Sequence, residues 1–450
     1  MTRHDTAGRV RLGWSYRKLY AATALSNVGD GMASIAYPWL ATATTRNPLL
    51  IAVIAAAQRL PWLVFTLPAG VITDRVDRRK AMVATDAIRG VLTLVVAVAV
   101  LSREALLPAP DALDTVQGTR VDVYVMLLLA TLLLGCAEVL RDNCGQTFMP
   151  SIVAPEHLER ANGRMWSIES VANTFIGPPI GSLLLVSAFS LPFFVDAGSF
   201  FVSAGLLMLI PGVFRAARPE LEGDRPSWID DIREGVRWLR GHRPLWAMAI
   251  ILGLMNMASM ISGALFVLFS QEVLGVTPLT FTLMGFGFAV GGIIGGYVAP
   301  WMSRTFGSGT CLALTLASAA VMQTTVGFLS SWPVVAAVVL VGTLLGSSWN
   351  VITVSLRQTI IPSHLLGRVN SVYRFFAWGM MPIGAAIGGG LVVVVDRFAS
   401  REIALRSVWW VDGLVHAGLL VAGLRLLTTD RLEAARAAAL GTRSETASSS

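Results

Sequence analysis

The sequence predicts an all-α integral membrane fold in which twelve transmembrane helices form two six-helix repeats. Composition, the number of long apolar segments and a match between the two halves of the chain all predict it. Of the 450 residues, 54% are hydrophobic and only 14% are charged, whereas an ordinary soluble protein carries about 25% charged residues. Compact soluble domains cannot hide that much apolar surface. The composition therefore excludes a soluble enzyme, a disordered protein and a disulfide-rich scaffold.

A helix needs about 20 residues to cross a bilayer, so each apolar segment of about that length is a candidate span. Twelve segments are long enough, at residues 19–41, 48–72, 81–102, 122–144, 165–188, 190–211, 245–270, 279–302, 309–330, 333–356, 371–395 and 407–427. An even number of crossings puts both termini on one side of the membrane. Arginine is concentrated in the N-terminal tail, after the second span and at 213–243, which predicts that these segments are cytoplasmic.

The spans and loops predict the domain organisation. Its parts are a cytoplasmic N-terminal tail (1–18), an N-terminal six-helix bundle (19–212), a cytoplasmic linker (213–244), a C-terminal six-helix bundle (245–427) and a disordered cytoplasmic tail (428–450). Within the linker, apolar residues recur every three or four positions from Ile229 to Leu239. This spacing predicts an amphipathic helix on the inner membrane face.

Short motifs recur in the same order in both halves of the chain. Gln146–Pro150 matches Gln358–Pro362, and an Arg-x-Asn triplet follows each of them. Glycine-rich motifs then match between the fifth and eleventh spans and predict helix-packing or hinge positions at Gly177, Pro178, Gly181, Gly384 and Gly388. Parallel repeats of six helices are one plan of secondary transporters.

The loop after the second span carries a more specific motif. Gly70-Val-Ile-Thr-Asp74-Arg75-Val-Asp77-Arg78-Arg79-Lys80 resembles the signature G-x-x-x-D-R-x-G-R-R-K of the major facilitator superfamily, except that Asp stands at 77 where the family prefers Gly. Segments 26–31 and 135–142 are similar to its enterobactin-exporter-like and macrolide-efflux-like branch, which consists mostly of bacterial exporters. The resemblance implies the major facilitator fold and efflux.

The same resemblance implies a gating role for this loop, which in the family steadies the outward-facing state. The gating residues are Gly70, Asp74, Arg75, Arg78 and Arg79. The glycine permits a tight turn, Asp74 accepts bonds from a helix N-terminus, and the arginines pair with carboxylates or lipid phosphates. Thr131 stands where many proton-driven drug antiporters carry Arg, so their proton route is not implied.

Charged residues inside spans are candidates for function because a charge at the bilayer centre costs about 2.5–3.5 kcal/mol. Asp30, near the middle of the first span, is a candidate proton-titrating or cation-binding carboxylate. The alternative is an aspartate bonded to a neighbouring helix. Glu138 and Asp142 lie on one face of the fourth span, with Glu138 the deeper and Asp142 either coupled to protons or simply solvated or ion-paired. The repeat places Asn350 opposite Glu138.

Further polar residues have structural or substrate-related interpretations. Arg59 and Arg357 are expected to balance a buried carboxylate or meet an anionic substrate. Asp86 and Arg89, three residues apart on the third span, are expected to form an ion pair within or between helices. Asp196 and Asp412 are placed in the first turns of the sixth and twelfth spans, where a carboxylate suits the helix dipole.

The function predicted is secondary active transport by alternating access, with proton-driven export of amphipathic drug-like, macrolide-like or siderophore-like molecules. The alternatives are a metabolite importer or symporter of the same fold and a non-transporting membrane receptor. No phosphate-binding loop, zinc motif, nucleophile elbow or dinucleotide fingerprint occurs, so we expect no enzyme activity, cofactor or metal. The expected partners are a small-molecule substrate, protons and membrane lipids, not nucleic acid. The expected state is a monomer in the bacterial plasma membrane, with both termini cytoplasmic.

Overall fold

The structure is a computed structural model that describes residues 12–110, 112–215, 228–362 and 365–448, and its regular elements are helical. Its α-helices are α1 (Trp14–Thr44), α2 (Pro48–Val64), α3 (Thr66–Arg75), α4 (Arg78–Leu101), α5 (Val121–Phe148), α6 (Leu158–Val171), α7 (Gly177–Ser187), α8 (Leu191–Met208), α9 (Trp228–Gly241), α10 (Arg243–Gly263), α11 (Phe266–Glu272), α12 (Pro278–Phe306), α13 (Ser308–Phe328), α14 (Trp332–Gly346), α15 (Ser348–Ile360), α16 (Leu366–Gly379), α17 (Met381–Val395), α18 (Arg401–Leu426) and α19 (Thr429–Ser448).

Ten helical segments of the described chain are long and apolar enough to cross a membrane. Two predicted spans are not among these ten. The first corresponds to α1, which has 31 residues, and the second to the 17-residue apolar α2 followed by α3. Polar residues in the middle of α1 and the break after α2 explain why neither stands out by length and hydropathy. With these two, the helical segments account for the twelve predicted spans.

Several spans consist of two helices, and proline explains some of these breaks. Proline lacks an N–H group and suits only the first turn of a helix. Pro178 lies in the first turn of α7, after a π-helical turn at Ala172–Ile176, and Pro382 lies in the first turn of α17. These interruptions fall inside the fifth and eleventh predicted spans, at corresponding places in the two repeats.

The chain divides into two compact units. Unit 1 comprises Met1–Tyr37, Val64–Leu106 and Leu129–Pro219. Within it α4 packs along α8, and α1 approaches α7 so closely that a Cβ on Gly31 would lie 2.9 Å from the Gly177 Cα. Small residues at such contacts let helix backbones approach in a membrane. This packing brings polar residues of α1, α4, α5 and α8 together.

Unit 2 comprises Pro38–Leu63, Leu107–Leu128 and Glu220–Ser450. Within it α10 packs against α17 and α18, α13 against α14 and α18, and α12 against α14. The contact between α12 and α14 is lined by glycine at every fourth position, Gly287, Gly291 and Gly295, each facing a backbone carbonyl of α14. The division of the chain into two six-helix bundles at the 213–244 linker remains a prediction.

The linker and the C-terminal tail both contain helices. The amphipathic helix is present as α9, and Leu239 at its C-terminal end is fully buried in the core of unit 2. The side chains of residues 228–232 are not described. Residues 428–450 were expected to be disordered, but α19 spans Thr429–Ser448, and Leu432 is only 1% exposed in the same core. Apolar residues of this polar segment thus find a protein surface on which to fold.

Candidate functional site

A buried ion pair joins α1 and α4 inside unit 1. The carboxylate of Asp30 pairs with the guanidinium of Arg89. The Arg89 side chain is 5% exposed, and its Cζ lies 4.0 Å from the centroid of the Phe200 ring. The carboxylate and the aromatic face together compensate a guanidinium that has lost its water. Asp30 is therefore bonded to a neighbouring helix, a contact compatible with both interpretations of this residue.

A second ion pair lies beside the first. The Nε atom of Arg141 on α5 is 3.4 Å from Oδ1 of Asp86 on α4. The other oxygen of Asp86 accepts a hydrogen bond of 2.6 Å from Ser203 on α8, and Arg141 also donates to Thr23 on α1 at 3.3 Å. Asp86 thus forms an interhelical ion pair. Arg141 connects α5 with α4 and α1 through these contacts.

Asp196 on α8 is buried against α1. It is 2% exposed, and a Cβ on Gly29 would overlap its Oδ1 atom and the hydroxyl of Ser199. Glycine at position 29 leaves room for this approach, directly beside Asp30. The prediction that Asp196 serves the dipole of its own helix is wrong, because α8 begins at Leu191 and the carboxylate faces α1 from the second turn.

The carboxylates of this site outnumber its guanidiniums. We call the side chains of Asp30, Asp86, Asp196, Arg89 and Arg141 the acid-rich network. Among the described residues, Oδ1 of Asp196 has no hydrogen-bond partner. Glu138 on α5 adds a further carboxylate whose charge acts on Arg89. A buried carboxyl group without a compensating cation favours its neutral, protonated form.

Asp142 lies outside the acid-rich network, one turn beyond Glu138. It accepts a hydrogen bond of 2.8 Å from Gln146 and lines a cavity of about 270 Å³ in unit 1. Glu169 of α6 and Trp166 line the same cavity, as does Arg141 from the network. The structure therefore brings Asp142 to a polar cavity that reaches the network through one shared arginine.

Arg59 and Asn350 line one cavity in unit 2, of about 460 Å³. We call it the cationic cavity because Arg357 and Arg374 line it too. Two aromatic residues hold the arginines: the Arg59 Cζ is 5.7 Å from the Trp378 ring centroid, and the Arg357 Cζ is 4.4 Å from that of Tyr373. Sequence reasoning identified three of the four basic and amide residues named above but missed Arg374. The four-residue spacing between Arg374 and Trp378, which places both on one face of α16, is the signal that was available.

The signature loop differs from its predicted geometry at the glycine. Gly70 lies inside α3, where a Cβ would meet nothing within 4 Å, so it forms no tight turn. The helix continues to Arg75, which is exposed, and the chain turns at Val76 and Asp77 in extended conformations. The side chain of Asp74 is not among those described.

The basic residues of the loop bind helix C-termini. Arg78 donates to the carbonyl of Thr147 at the end of α5 at 3.0 Å, and Arg79 donates to the carbonyl of Ile210 after α8. Lys18 donates to the neighbouring carbonyl of Leu209 at 2.6 Å. The last carbonyls of a helix lack intrahelical partners and carry partial negative charge, which attracts cations. In the described residues these carbonyls take the place of the carboxylates or lipid phosphates expected for Arg78 and Arg79.

Asp77 explains the departure from the signature. Its Oδ1 accepts from the backbone N–H of Lys80 at 2.9 Å and caps α4, while its Oδ2 accepts from the N–H of Phe214 at 2.8 Å. Burial alone disfavours the ionised form, but these two N–H groups lower the pKa of Asp77 below its ordinary value. The carboxylate thus fastens the start of α4 to the segment after α8.

We expect Asp77→Ala to lower the free energy of unfolding by about 1–2 kcal/mol, as loss of an N-cap does. Because the folded-state pKa lies below the unfolded value of about 3.9, this stabilisation is complete above that pH. It disappears as the pH falls through the folded-state pKa. Thermal unfolding of detergent-solubilised protein across pH measures the difference. Lys80→Ala, which keeps the backbone N–H, is the control, and equal loss in both variants would contradict the capping role.

A cluster of ion pairs lies at the connection between α1 and α2. We call it the end cluster. Arg46 contacts Glu272 at the end of α11 at 2.5 Å, and Arg401 at the start of α18 contacts the same carboxylate at 2.9 Å. Arg401 also lies 3.3 Å from Asp396 and donates to the carbonyl of Arg46 at 2.8 Å. The end cluster ties three parts of unit 2 together.

A separate buried polar group surrounds Asp412 in unit 2. Its Oδ2 accepts hydrogen bonds of 2.6 Å from Ser262 on α10 and from Gln323 on α13, and its Oδ1 lies 2.8 Å from Nδ1 of His416. The prediction of a first-turn position is wrong, because α18 begins at Arg401 and Asp412 lies near its middle. The sequence prediction placed the start of this span too late because the first residues of α18 are polar.

A family model described as Major Facilitator Superfamily matches residues 19–385. The chain belongs to the Major Facilitator Superfamily. The family resemblance of the loop signature is thereby confirmed, and the chain is a multi-pass membrane transporter, not an enzyme.

Named relatives of this Major Facilitator Superfamily chain are efflux proteins. The multidrug efflux pump Tap of Mycolicibacterium fortuitum is 26% identical over 385 residues, covering 83% of this chain and 88% of Tap. Macrolide efflux protein A of Streptococcus pyogenes is 24% identical over 284 residues, covering 62% of this chain and 64% of the relative. Both matches agree with the branch to which the sequence segments are similar.

Solved transporter structures share the fold. A mutant of the nucleoside transporter NupG superposes with a TM-score of 0.71 at 10% identity, covering 92% of this chain and 100% of that one. A bacterial homologue of the iron transporter ferroportin, in its inward-facing state, gives 0.69 at 15% identity, covering 92% and 98%. At these identities the likeness supports the major facilitator fold alone.

The repeated glycines of this major facilitator chain lie at helix contacts. In unit 1, a Cβ on Gly177 would meet Gly31 and the Val28 carbonyl, and Gly181 faces Met32. In unit 2, Gly384 and Gly388 of α17 face the carbonyls of Met257 and Ile261 on α10. Pro178 is buried at the start of α7. The two repeats thus use the same position for close packing.

Proposed function

We propose that this transporter exports amphipathic small molecules across the bacterial plasma membrane in exchange for protons. The names of Tap and macrolide efflux protein A support outward transport of drug-like or macrolide-like molecules. Siderophore-like molecules belong to the same proposed class. The names of these relatives favour export over import or a receptor function.

The acid-rich network is the observation that carries proton coupling. Within the described part of unit 1 it holds three carboxyl groups, those of Asp30, Asp86 and Asp196, and two guanidiniums. The adjacent carboxyl groups of Asp30 and Asp196 share the excess negative charge. A proton bound between them neutralises it, and such a pair titrates as a unit. Release of this proton restores a negative charge that the two arginines only partly compensate.

The remaining candidates have assigned places in this scheme. Glu138 lies next to the network, and Asp142 lies in the adjoining cavity with Glu169. We propose that they pass protons between that cavity and the acid-rich network. Arg59 and Asn350, which line the cationic cavity, are proposed substrate-binding residues.

Alternating access requires contacts that break and reform. We propose that the end cluster around Glu272 lies at the outer end of the transporter and that its ion pairs separate when that end opens. The signature loop, with Gly70, Asp74, Arg75, Arg78 and Arg79, is proposed to gate the cytoplasmic side. The arginine-rich segments support cytoplasmic termini and contacts with lipid headgroups. We propose that the unit of function is a monomer.

Accumulation in drug-sensitive bacteria tests export. We expect cells that express the wild type to accumulate less ethidium or erythromycin than cells with empty vector, and a protonophore to abolish the difference. Asp30→Asn, which keeps the size of the side chain but cannot carry the charge, is expected to lower export at least about tenfold.

The controls separate coupling from expression. Asp430→Asn changes an exposed carboxylate of α19 and is expected to export like the wild type. Membrane levels are matched by immunoblot. Full export by Asp30→Asn at matched levels, or export that persists with a protonophore, would overturn proton coupling. Equal accumulation with wild type and empty vector would overturn export of these compounds.

A further inference from the structure

The cationic cavity has an unusual charge for a cavity between membrane-spanning helices. Arg59 comes from α2, Arg357 from α15 and Arg374 from α16. Among the described residues that line it, none is Asp or Glu. Positive charge inside a span is costly and marks a site that binds a partner. The cavity volume of about 460 Å³ falls within the range of roughly 300–1,000 Å³ for small-molecule sites.

The protein groups that contact Arg357 are electrically neutral. Its Nε donates to the carbonyl of Thr353 at 3.3 Å, its Nη1 donates to Oδ1 of Asn370 at 3.3 Å, and the guanidinium lies over the Tyr373 ring. These contacts orient the guanidinium but leave its charge uncompensated by any described carboxylate. Arg374, one residue further along α16, is exposed at the cavity wall. The two arginines together offer a site for an anionic group.

The rest of the cavity wall favours an apolar, partly aromatic body. The ring of Trp378 is held by stacking on Trp62, with centroids 5.8 Å apart. Met255 and Met381 supply flexible apolar surface, which adapts to ligands of different shape. The side-chain amide of Asn256 donates to the Ala377 carbonyl at 2.9 Å, which leaves its oxygen as an acceptor.

We infer that the substrates of this transporter include amphipathic organic anions, whose carboxylate pairs with Arg357 and Arg374 while the apolar body lies against Trp378. The inference rests on the proposed transport function and adds the charge of the cargo. It explains why the cavity of an efflux protein is lined by guanidiniums. Hydrogen bonds between charged groups are stronger than those between neutral groups, so the carboxylate supplies a large part of the affinity.

Binding of two matched probes tests the inference. Pyrenebutyrate and pyrenebutanol share one aromatic body and differ in a carboxylate against a hydroxyl group. Quenching of tryptophan fluorescence in purified transporter, reconstituted in lipid nanodiscs and corrected with empty nanodiscs, gives both affinities. We expect the carboxylate probe to bind about tenfold more tightly or better. Equal affinities, or preference for the alcohol, would overturn the inference.

Variants locate the site. Arg357→Gln and Arg374→Gln are each expected to remove the preference for the carboxylate, because they weaken binding of pyrenebutyrate more than binding of pyrenebutanol. Arg357→Lys is expected to keep part of the preference. Arg425→Gln, an exposed arginine at the end of α18, is the control. If Arg357→Gln fails to fold, binding to Arg374→Gln tests the site, because Arg374 is exposed. A preference for the carboxylate that survives Arg374→Gln contradicts the proposed site.

The binding measurement is independent of export, because it needs no gradient and no turnover. Carboxylate preference without proton-dependent efflux would overturn the proposed function and leave this inference standing. Proton-dependent efflux of neutral or cationic compounds, without a preference for the carboxylate probe, would overturn this inference and leave the proposed function standing.

Discussion

Arg89→Gln is expected to lower the stability of the transporter by about 3–5 kcal/mol, the usual result of removing one partner from a buried ion pair, and to abolish export. The guanidinium of Arg89 pairs with Asp30 and lies on the ring of Phe200. The negative charge of Glu138 also attracts it. Glutamine leaves the Asp30 carboxylate, in a membrane-spanning region, without the cation that pairs with it. Thermal unfolding in detergent and drug accumulation in cells measure the two effects.

A second variant distinguishes lost pairing from lost packing. Arg89→Gln combined with Asp30→Asn removes both charges, so we expect most of the stability to return while export remains absent. Arg436→Gln, on the exposed side of α19, is the control and is expected to change stability by less than about 0.5 kcal/mol. Equal stability of the single and double variants would show that the pair does not compensate the two charges.

Gly384→Ala is expected to destabilise unit 2 by about 1–3 kcal/mol, the range for overpacking a close contact, and to lower the amount of folded transporter in the membrane. A Cβ at this position would overlap the Met257 carbonyl on α10, and one at Gly388 would overlap that of Ile261. Backbone atoms cannot move aside as a flexible side chain can, so α10 and α17 must separate. Fluorescence-detected size exclusion and thermal unfolding measure the result.

The same helix supplies the control. Gly390 lies in α17, and a Cβ added there would meet nothing within 4 Å. Gly390→Ala is expected to leave stability unchanged or raise it by about 0.4–1 kcal/mol, because alanine restricts the unfolded chain. If both alanine variants behave alike, helix propensity and not the contact with α10 determines the outcome, and the close-packing account of Gly384 fails.

The twelve spans were predictable because a helix that faces lipid must be built mostly from apolar residues. An apolar segment of membrane length can be identified without knowing which helices it packs against. The repeated motifs at Gly177 and Gly384 indicated two repeats of six helices. Boundaries were less predictable. The polar first turns of α18 read as loop, which misplaced Asp412, and the tail helix α19 depends on Leu432 finding the core of unit 2.

The partners of charged residues could not be read from the sequence. Spacing along α4 suggested an ion pair for Asp86 and Arg89, but it carries no information on the rotation of α1 and α5 against α4. In the structure, Arg89 forms an ion pair with Asp30, and Asp86 forms one with Arg141. The contact of Asp196 with α1 was missed for the same reason, since its place beside Gly29 arises only when α1 and α8 meet.

In the proposed transport cycle, the ion pairs of the end cluster make the opening step sensitive to dissolved salt. Its side chains are 16–36% exposed, so water and counter-ions reach Arg46, Glu272, Arg401 and Asp396. The screening length is about 10 Å at 0.1 M ionic strength and about 3 Å at 1 M. Because a membrane separates two solutions, only the electrolyte that bathes this end weakens these attractions. Under this proposal, the salinity of the solution on that side adjusts how readily this end opens.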